Sequence, residues 1–141
     1  PLSDIGEYPA YIACHLFNEK HDVYIGDEGA PRIKRDGFAN DFAVPFIANI
    51  KKNVTIGFRS FDCKNVTGLK LKTRGYFKGD FLVKNKWDGE TLGRVCVDYD
   101  NVWTVHEGSV NFPDGVQDLY LTFDGEGCGQ LYSFEFIKHE A

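Results

Sequence analysis

The residues able to do chemistry are thinly spread along this chain. The four histidines, His15, His21, His106 and His139, stand in no nucleophile motif, and no Gly-x-Ser-x-Gly occurs. Acids are numerous enough for two carboxylates to face each other in a folded chain, the arrangement that glycoside cleavage requires. No spacing in the sequence singles out such a pair. Asp22, Asp27 and Glu28 lie close together, and Glu135 falls on the last apolar run. Oxygens near loops suit calcium, and they equally suit plain solvation. Cys14, Cys63, Cys96 and Cys128 contain no Cys-x-x-Cys pair, which argues against a zinc site. They read as buried free thiols, with a disulfide open to a secreted parent.

The stretch GVQDLYLTFDGEGCGQLYSFEF, residues 115–136, sets glycines and acids between two alternating runs. It is no phosphate loop, because no Lys-Ser/Thr and no helix follow. It reads as a rim that turns between the last two strands, relaxing the corner or letting a ligand approach the backbone. Aromatics are the richer signal, with 12 Phe, 7 Tyr and 2 Trp. A sugar offers apolar C–H faces that rings bury, and a rim of hydroxyls that polar side chains satisfy. Trp103, Trp87, Tyr99, Tyr76 and Tyr120 are candidates for that task, and each serves a β core as readily. Trp87 stands out because it precedes Asp88-Gly89 in a turn, where a ring is hard to bury.

The elements that must position these residues are strands. Leu69 and Leu71 alternate with Lys70, Lys72 and Arg74, a half-buried strand with a solvated basic face. Val54, Ile56 and Phe58, and then Leu119, Leu121 and Phe123, repeat the pattern. In the final run, Tyr132, Phe134 and Phe136 alternate with Leu131, Ser133 and Glu135, and both faces are partly apolar. Strands are predicted near 10–17, 22–26, 43–50, 54–61, 69–76, 80–85, 91–97, 103–110, 117–123 and 130–137. Lys78-Gly79-Asp80 reads as a tight hairpin turn, Trp87-Asp88-Gly89-Glu90 and Pro113-Asp114-Gly115 as further turns, and 26–42 as a long loop. Many short antiparallel strands bury one face each by closing or by stacking. The fold class is therefore all-β, a β-sandwich of jelly-roll type, with an immunoglobulin-like sandwich second.

The 141 residues suit one domain, 1–141. A net charge of −5 argues against a nucleic-acid partner, and no apolar run is long enough for a membrane span. The chain starts on Pro and lacks Met, which reads as an excised or processed module of a larger protein. Asn53-Val-Thr and Asn65-Val-Thr fit the glycosylation sequon.

Several segments resemble the family 6 carbohydrate-binding modules. GVQDLYLTFDGEGCGQLYSFEF is similar to that family's closing segment, a Gly-Val-His-Asp-Leu-Tyr-Leu-like strand followed by a Gly-rich stretch and a last strand. WDGETLGRVCV resembles its Asp-Gly-x-x-Leu-Gly hairpin, NVWTVHEGSVNFPDGVQDLYL its Trp-Thr strand and Pro-x-Gly-Val turn, and FIANIKKNVTIGFRSFD its Tyr-Ile-x-Asn segment. With YPAYIACHLFNEKHDVYIGDEGAPRIKRDG included, the chain looks most like the module C-terminal to family 43 glycoside hydrolases, the β-xylosidases and α-arabinofuranosidases.

The resemblance implies a jelly roll that binds a polysaccharide or oligosaccharide and serves a parent catalytic domain; a parent that degrades polysaccharide would be secreted or at the cell surface. It implies a sugar clamp whose two ring positions fall near Thr55 and near Tyr99 or Asp100, with Gln130 as the polar partner and Trp103 as the strand tryptophan. Ala13-Cys14-His15 stands where the family has the Glu-Ala-Glu of a structural calcium site, while Glu135 matches its C-terminal Asp. The expected function is a non-catalytic module for xylan or a related plant polysaccharide, and the chain itself is not an enzyme. The alternative is a structural accessory domain that packs on the catalytic domain without binding sugar.

Overall fold

The computed structural model describes residues 7–13, 15–17, 32–34, 46–87 and 89–139. Its strands are β1 (Glu7–Pro9), β2 (His15–Phe17), β3 (Arg32–Lys34), β4 (Phe46–Ile50), β5 (Thr55–Cys63), β6 (Val66–Lys84), β7 (Gly93–Val97), β8 (Asp100–Ser109) and β9 (Gly115–Lys138). A 3-10 turn, Ala10–Ile12, follows β1. All strand pairs are antiparallel. The predicted strand near 10–17 thus begins as the 3-10 turn and is strand only at His15–Phe17. The one near 22–26, with His21, Asp22, Asp27 and Glu28, lies outside the described residues. Residues 32–34, read as loop, pair with β4.

Two strands organise everything else. β6 has 19 residues and β9 has 24, and they pair almost end to end, from Val66↔Lys138 to Lys84↔Tyr120. The first half of β9 pairs on its other side with β5, which holds β2. The second half of β6 holds β7. The second half of β9 pairs instead with β4 and β1, and the first half of β6 with β8. The paired strands therefore pass from one layer of the sandwich to the other, and the all-β jelly-roll expectation holds. Between the layers sit Phe58, Phe61, Phe77, Phe81, Phe123 and Phe134, all fully buried. Their rings meet as tilted or edge-on neighbours, Phe58 with Phe134 at 4.4 Å and Phe77 with Phe123 at 4.9 Å. Such geometry suits the ring quadrupole.

The crossing corrects two sequence expectations. Lys78-Gly79-Asp80 is no hairpin turn and Gly125–Gly129 is no loop, for both lie inside the β6–β9 ladder, Gly79 opposite Gly125 and Phe77 opposite Gly127. Glycine is required there by close backbone approach, not by a chain reversal. A Cβ on Gly127, whose φ is +86°, would lie 2.1 Å from the Tyr76 carbonyl oxygen. The sequence signal for a turn and for a tightly coiled strand pair is the same residue type.

A second subtlety concerns the final run. The register steps from Lys72↔Ser133 to Thr73↔Leu131, so Tyr132 is the extra residue of a bulge. A bulge resets the alternation, which is why Leu131 and Phe134 are both buried although they differ in parity. The face of Lys70, Lys72 and Arg74 is not simply solvated either. Lys70 lies 3.7 Å from the Glu135 carboxylate, Lys72 sits over the Tyr132 ring, and Arg74 sits over Trp103 and Phe46.

Candidate functional site

Where β6 and β9 cross between layers, the strands flanking them bulge. On one side β4 runs from Ile47↔Leu131 to Ile50↔Gly129, so Ala48 and Asn49 share one position of β9. Asn49 takes φ 61°, which asparagine tolerates better than most side chains. On the other side β8 steps from Thr73↔Thr104 to Gly75↔Asp100, inserting extra residues at Asn101–Trp103. Between the two bulges the ladder sets Arg74 opposite Gln130, and the next rung is Gly75 opposite Gly129. Flanking strands bend away and the glycine rung carries no side chains, so a hollow opens over bare backbone beside the Arg74–Gln130 pair. Its volume is about 360 Å³, lined by Ala48, Asn49, Arg74, Gly75, Tyr76, Asp100, Asn101, Cys128, Gly129 and Gln130. This is within the usual range of small-molecule sites, about 300–1,000 Å³.

Gly129 contributes in a second way. A Cβ there would lie 2.5 Å from the Phe77 ring, so the floor of the cleft rests directly on the aromatic core.

The walls are polar and cross-braced. Arg74 Nε donates to Gln130 Oε1 at 2.7 Å, while the guanidinium stacks 4.2 Å from the Trp103 centroid and 5.1 Å from that of Phe46. Tyr76 OH donates to Asn101 Oδ1 at 2.5 Å. Asp100 Oδ2 is 2.7 Å from His106 Nε2, with both side chains largely buried. At the rim, Tyr76 is 68% and Tyr99 50% exposed. Their centroids are 6.5 Å apart with planes tilted by 44°, and Tyr99 OH reaches Glu126 Oε1 at 3.4 Å. Two exposed rings beside amide, carboxylate and guanidinium groups form the amphipathic surface that a pyranose requires. The rings form an open V instead of a parallel clamp.

Of the residues singled out in the sequence, Gln130 lines this cleft and Tyr99 stands beside it on the ring of Tyr76. Trp103 does not line it. It lies beneath Arg74 and packs against Phe46 and Tyr132 at 5.2 and 5.1 Å, so it holds the wall up from behind. Thr55 is elsewhere, buried on β5 with its hydroxyl 3.0 Å from that of Thr122. Trp87, 40% exposed after the end of β6, packs edge-on against Tyr120 and does not line the cleft. Tyr76, an aromatic candidate placed nowhere by the clamp alignment, is the ring that partners Tyr99. Asp100, the other residue at the clamp position of Tyr99, lines the cleft, as does Asn49, which ends the stretch similar to the family's Tyr-Ile-x-Asn segment; Arg74 and Asn101 carry no motif. Their gathering depends on two bulges, and a period-2 reading smooths over bulges. A second hollow of about 240 Å³ lies on the sheet face, lined by Glu7, Lys70, Lys72, Val105, Ser133, Phe134 and Glu135.

Glu135, matched to the family's calcium ligand, faces Glu7 across β1–β9 and ion-pairs with Lys70. Glu7 itself accepts a hydrogen bond from the Ser133 hydroxyl. Among the described residues, no three His, Cys, Asp or Glu side chains gather in a way that could hold a metal. Cys63, Cys96 and Cys128 are free, but only Cys63 is buried. Cys14 lies outside the described residues. Burial pushes the Cys63 thiol up from its ordinary value, with Lys138 pulling it down and Asp62 and Asp114 adding to the rise.

Comparison with known structures bears directly on this architecture. A carbohydrate-binding module of Clostridium stercorarium, solved with cellobiose, superposes with a TM-score of 0.75 at 15% identity, over 97% of this chain and 96% of that one. A family 6 carbohydrate-binding module of Clostridium cellulolyticum, solved with xylose, gives 0.73 at 16% identity, over 97% and 100%. The chain has the family 6 carbohydrate-binding module fold. The resemblance read in the sequence therefore holds, and the fold is that of binding modules. The same fold covers 28% of a family 43 arabinoxylan arabinofuranohydrolase of Bacillus subtilis, solved with cellotetraose, at TM-score 0.73 and 16% identity, over 98% of the module. A xylosidase/arabinosidase of Thermoclostridium stercorarium is 45% identical over 140 residues, which is 95% of the module. The module spans 30% of that relative's length. No family model matches the chain.

Proposed function

We propose that the module binds a plant polysaccharide such as xylan in the cleft between the β4 and β8 bulges, and serves an attached glycoside hydrolase. The observation that carries this reading is the pairing of exposed Tyr76 and Tyr99 with Asn49, Asn101, Asp100, Arg74 and Gln130 around a glycine floor. The rings cover C–H faces of a sugar, and the polar groups replace the water lost by its hydroxyls. The likeness to an arabinofuranohydrolase and a xylosidase/arabinosidase supports xylan as the polymer. Binding raises the effective concentration of an attached enzyme on its substrate, with no chemistry of its own. Calorimetry and affinity electrophoresis against xylan, β-glucan and arabinan test this. Retardation on xylan is expected, and migration unchanged by all three polymers would overturn it.

One observation favours the accessory-domain reading. The rings of the rim are tied by hydrogen bonds in a V, and β8 exposes Val102 in its bulge and Val105 in the second hollow. On that reading, deleting the module from a full-length enzyme lowers thermal stability and turnover of small soluble substrates. A module that only binds polymer would reduce activity on polymers alone.

A further inference from the structure

His106 stands outside the cleft yet holds one of its walls. We propose that it is a positioning residue for ligand binding, acting through Asp100; the proposal rests on the reading of the cleft as a sugar site. Asp100 opens β8 opposite Gly75, and His106 lies on the far side of the inserted residues, opposite Leu71. Two residues six apart on one strand touch only if the strand between them folds out, and the Nε2–Oδ2 distance of 2.7 Å spans that bulge. A carboxylate only accepts, so Nε2 carries the hydrogen and donates.

The bond staples the base of the bulge. From the bulge come Asn101, which accepts from Tyr76 OH, and Trp103, which supports Arg74. One contact outside the cleft therefore fixes an acceptor within it, the ring at its rim and the guanidinium in its wall. Side chains exposed by only 19% each have little water to replace the partner. Without the imidazole, Asp100 must turn toward the cleft to be solvated, and the bulge loses its tie.

The experiment combines His106→Ala, His106→Gln, Asp100→Ala and the double variant His106→Ala/Asp100→Ala. Affinity for soluble xylo- and cello-oligosaccharides is measured by calorimetry. Side-chain and backbone amide NMR signals of the sugar-free proteins are compared in parallel. His106→Ala should lower affinity roughly tenfold and shift the signals of Asn101 and Gly75. His106→Gln, whose amide nitrogen reaches about as far as Nε2, should recover most of both. Once Asp100 is Ala, removing His106 should cost nothing more.

Unchanged affinity in His106→Ala, equal losses in the Ala and Gln variants, or losses that multiply in the double variant would each overturn the proposal. If His106→Ala does not fold, His106→Asn replaces it, being polar but too short to reach Asp100. Should the wild type bind none of the sugars, the sugar reading itself fails. The free-protein spectra then decide the positioning role, and unmoved Asn101 and Gly75 signals overturn it.

Discussion

Among the described residues, the module exposes aromatic rings at two places, and they differ in what lies beneath them. At the cleft, Tyr76 and Tyr99 stand over a strand pair that bends between layers, with bulges on both sides and a glycine rung next to them. At the β6–β7 connection, Trp87 lies edge-on against Tyr120 on the outer side of a regular ladder, where Tyr120 faces Gly57 and Lys84. Nearby, Asn85 and Gln117 hydrogen-bond to each other at 3.0 Å. By type and spacing, Trp87 is the better sugar platform. In three dimensions it caps a sheet, whereas the tyrosines border a hollow. A ring becomes a binding surface when the backbone beside it recedes, and here bulges and glycines make it recede.

The comparison breaks most severely if the backbone approach is disturbed. Gly127→Ala sets a side chain 2.1 Å from the Tyr76 carbonyl oxygen at φ +86°. It should destabilise the module by about 3 kcal/mol, or prevent folding, as close contact and strained backbone together do. Urea denaturation measures it, and a loss below roughly 1 kcal/mol would mean that the strands separate easily at the crossing. Tyr76→Ala should leave the fold intact and weaken binding about thirtyfold, roughly 2 kcal/mol, the scale of a central aromatic contact. Calorimetry with a soluble xylo-oligosaccharide would show it.

Trp87→Ala sharpens the contrast. It removes the edge-on partner of Tyr120, worth about 1 kcal/mol, so the melting temperature should fall by a few degrees while affinity stays within roughly twofold. A large loss of affinity in Trp87→Ala with little in Tyr76→Ala would exchange the roles of the two regions. The smallest effect is expected from calcium. With Glu135 engaged by Lys70 and no three-ligand cluster among the described residues, chelator and millimolar calcium should give superimposable melting curves. A calcium-dependent rise of several degrees would show that Glu135 belongs to an ion site.

Much of the core was legible in advance. Leu69, Leu71, Val54, Ile56, Phe58, Leu119, Leu121 and Phe123 are all buried, as alternation requires. The connection after β6 and the turn before β9 fall where Trp87 to Glu90 and Pro113-Asp114-Gly115 put them. The cleft was legible only in fragments. Gln130 and the position given to Tyr99 or Asp100 came from the family resemblance, and Tyr76 from being aromatic. Arg74 read as one more solvated cation because alternation shows only that it leaves the core. That it meets Trp103, Phe46 and Gln130 depends on which strands flank it. Thr55 occupied an aligned position whose face is closed by pairing with Thr122.

The sequence alone determined that this chain is all-β, which side chains enter the sandwich core and where several strands end, because period-2 burial and turn chemistry are local properties. Tertiary structure decided that 66–84 and 115–138 are continuous strands, that their glycines are contact points instead of turns, and that bulges in β4 and β8 gather residues from positions 48 to 130 around one hollow. Those outcomes depend on register and on backbone-to-backbone distance between segments far apart in the chain, and no local pattern of residue types encodes either.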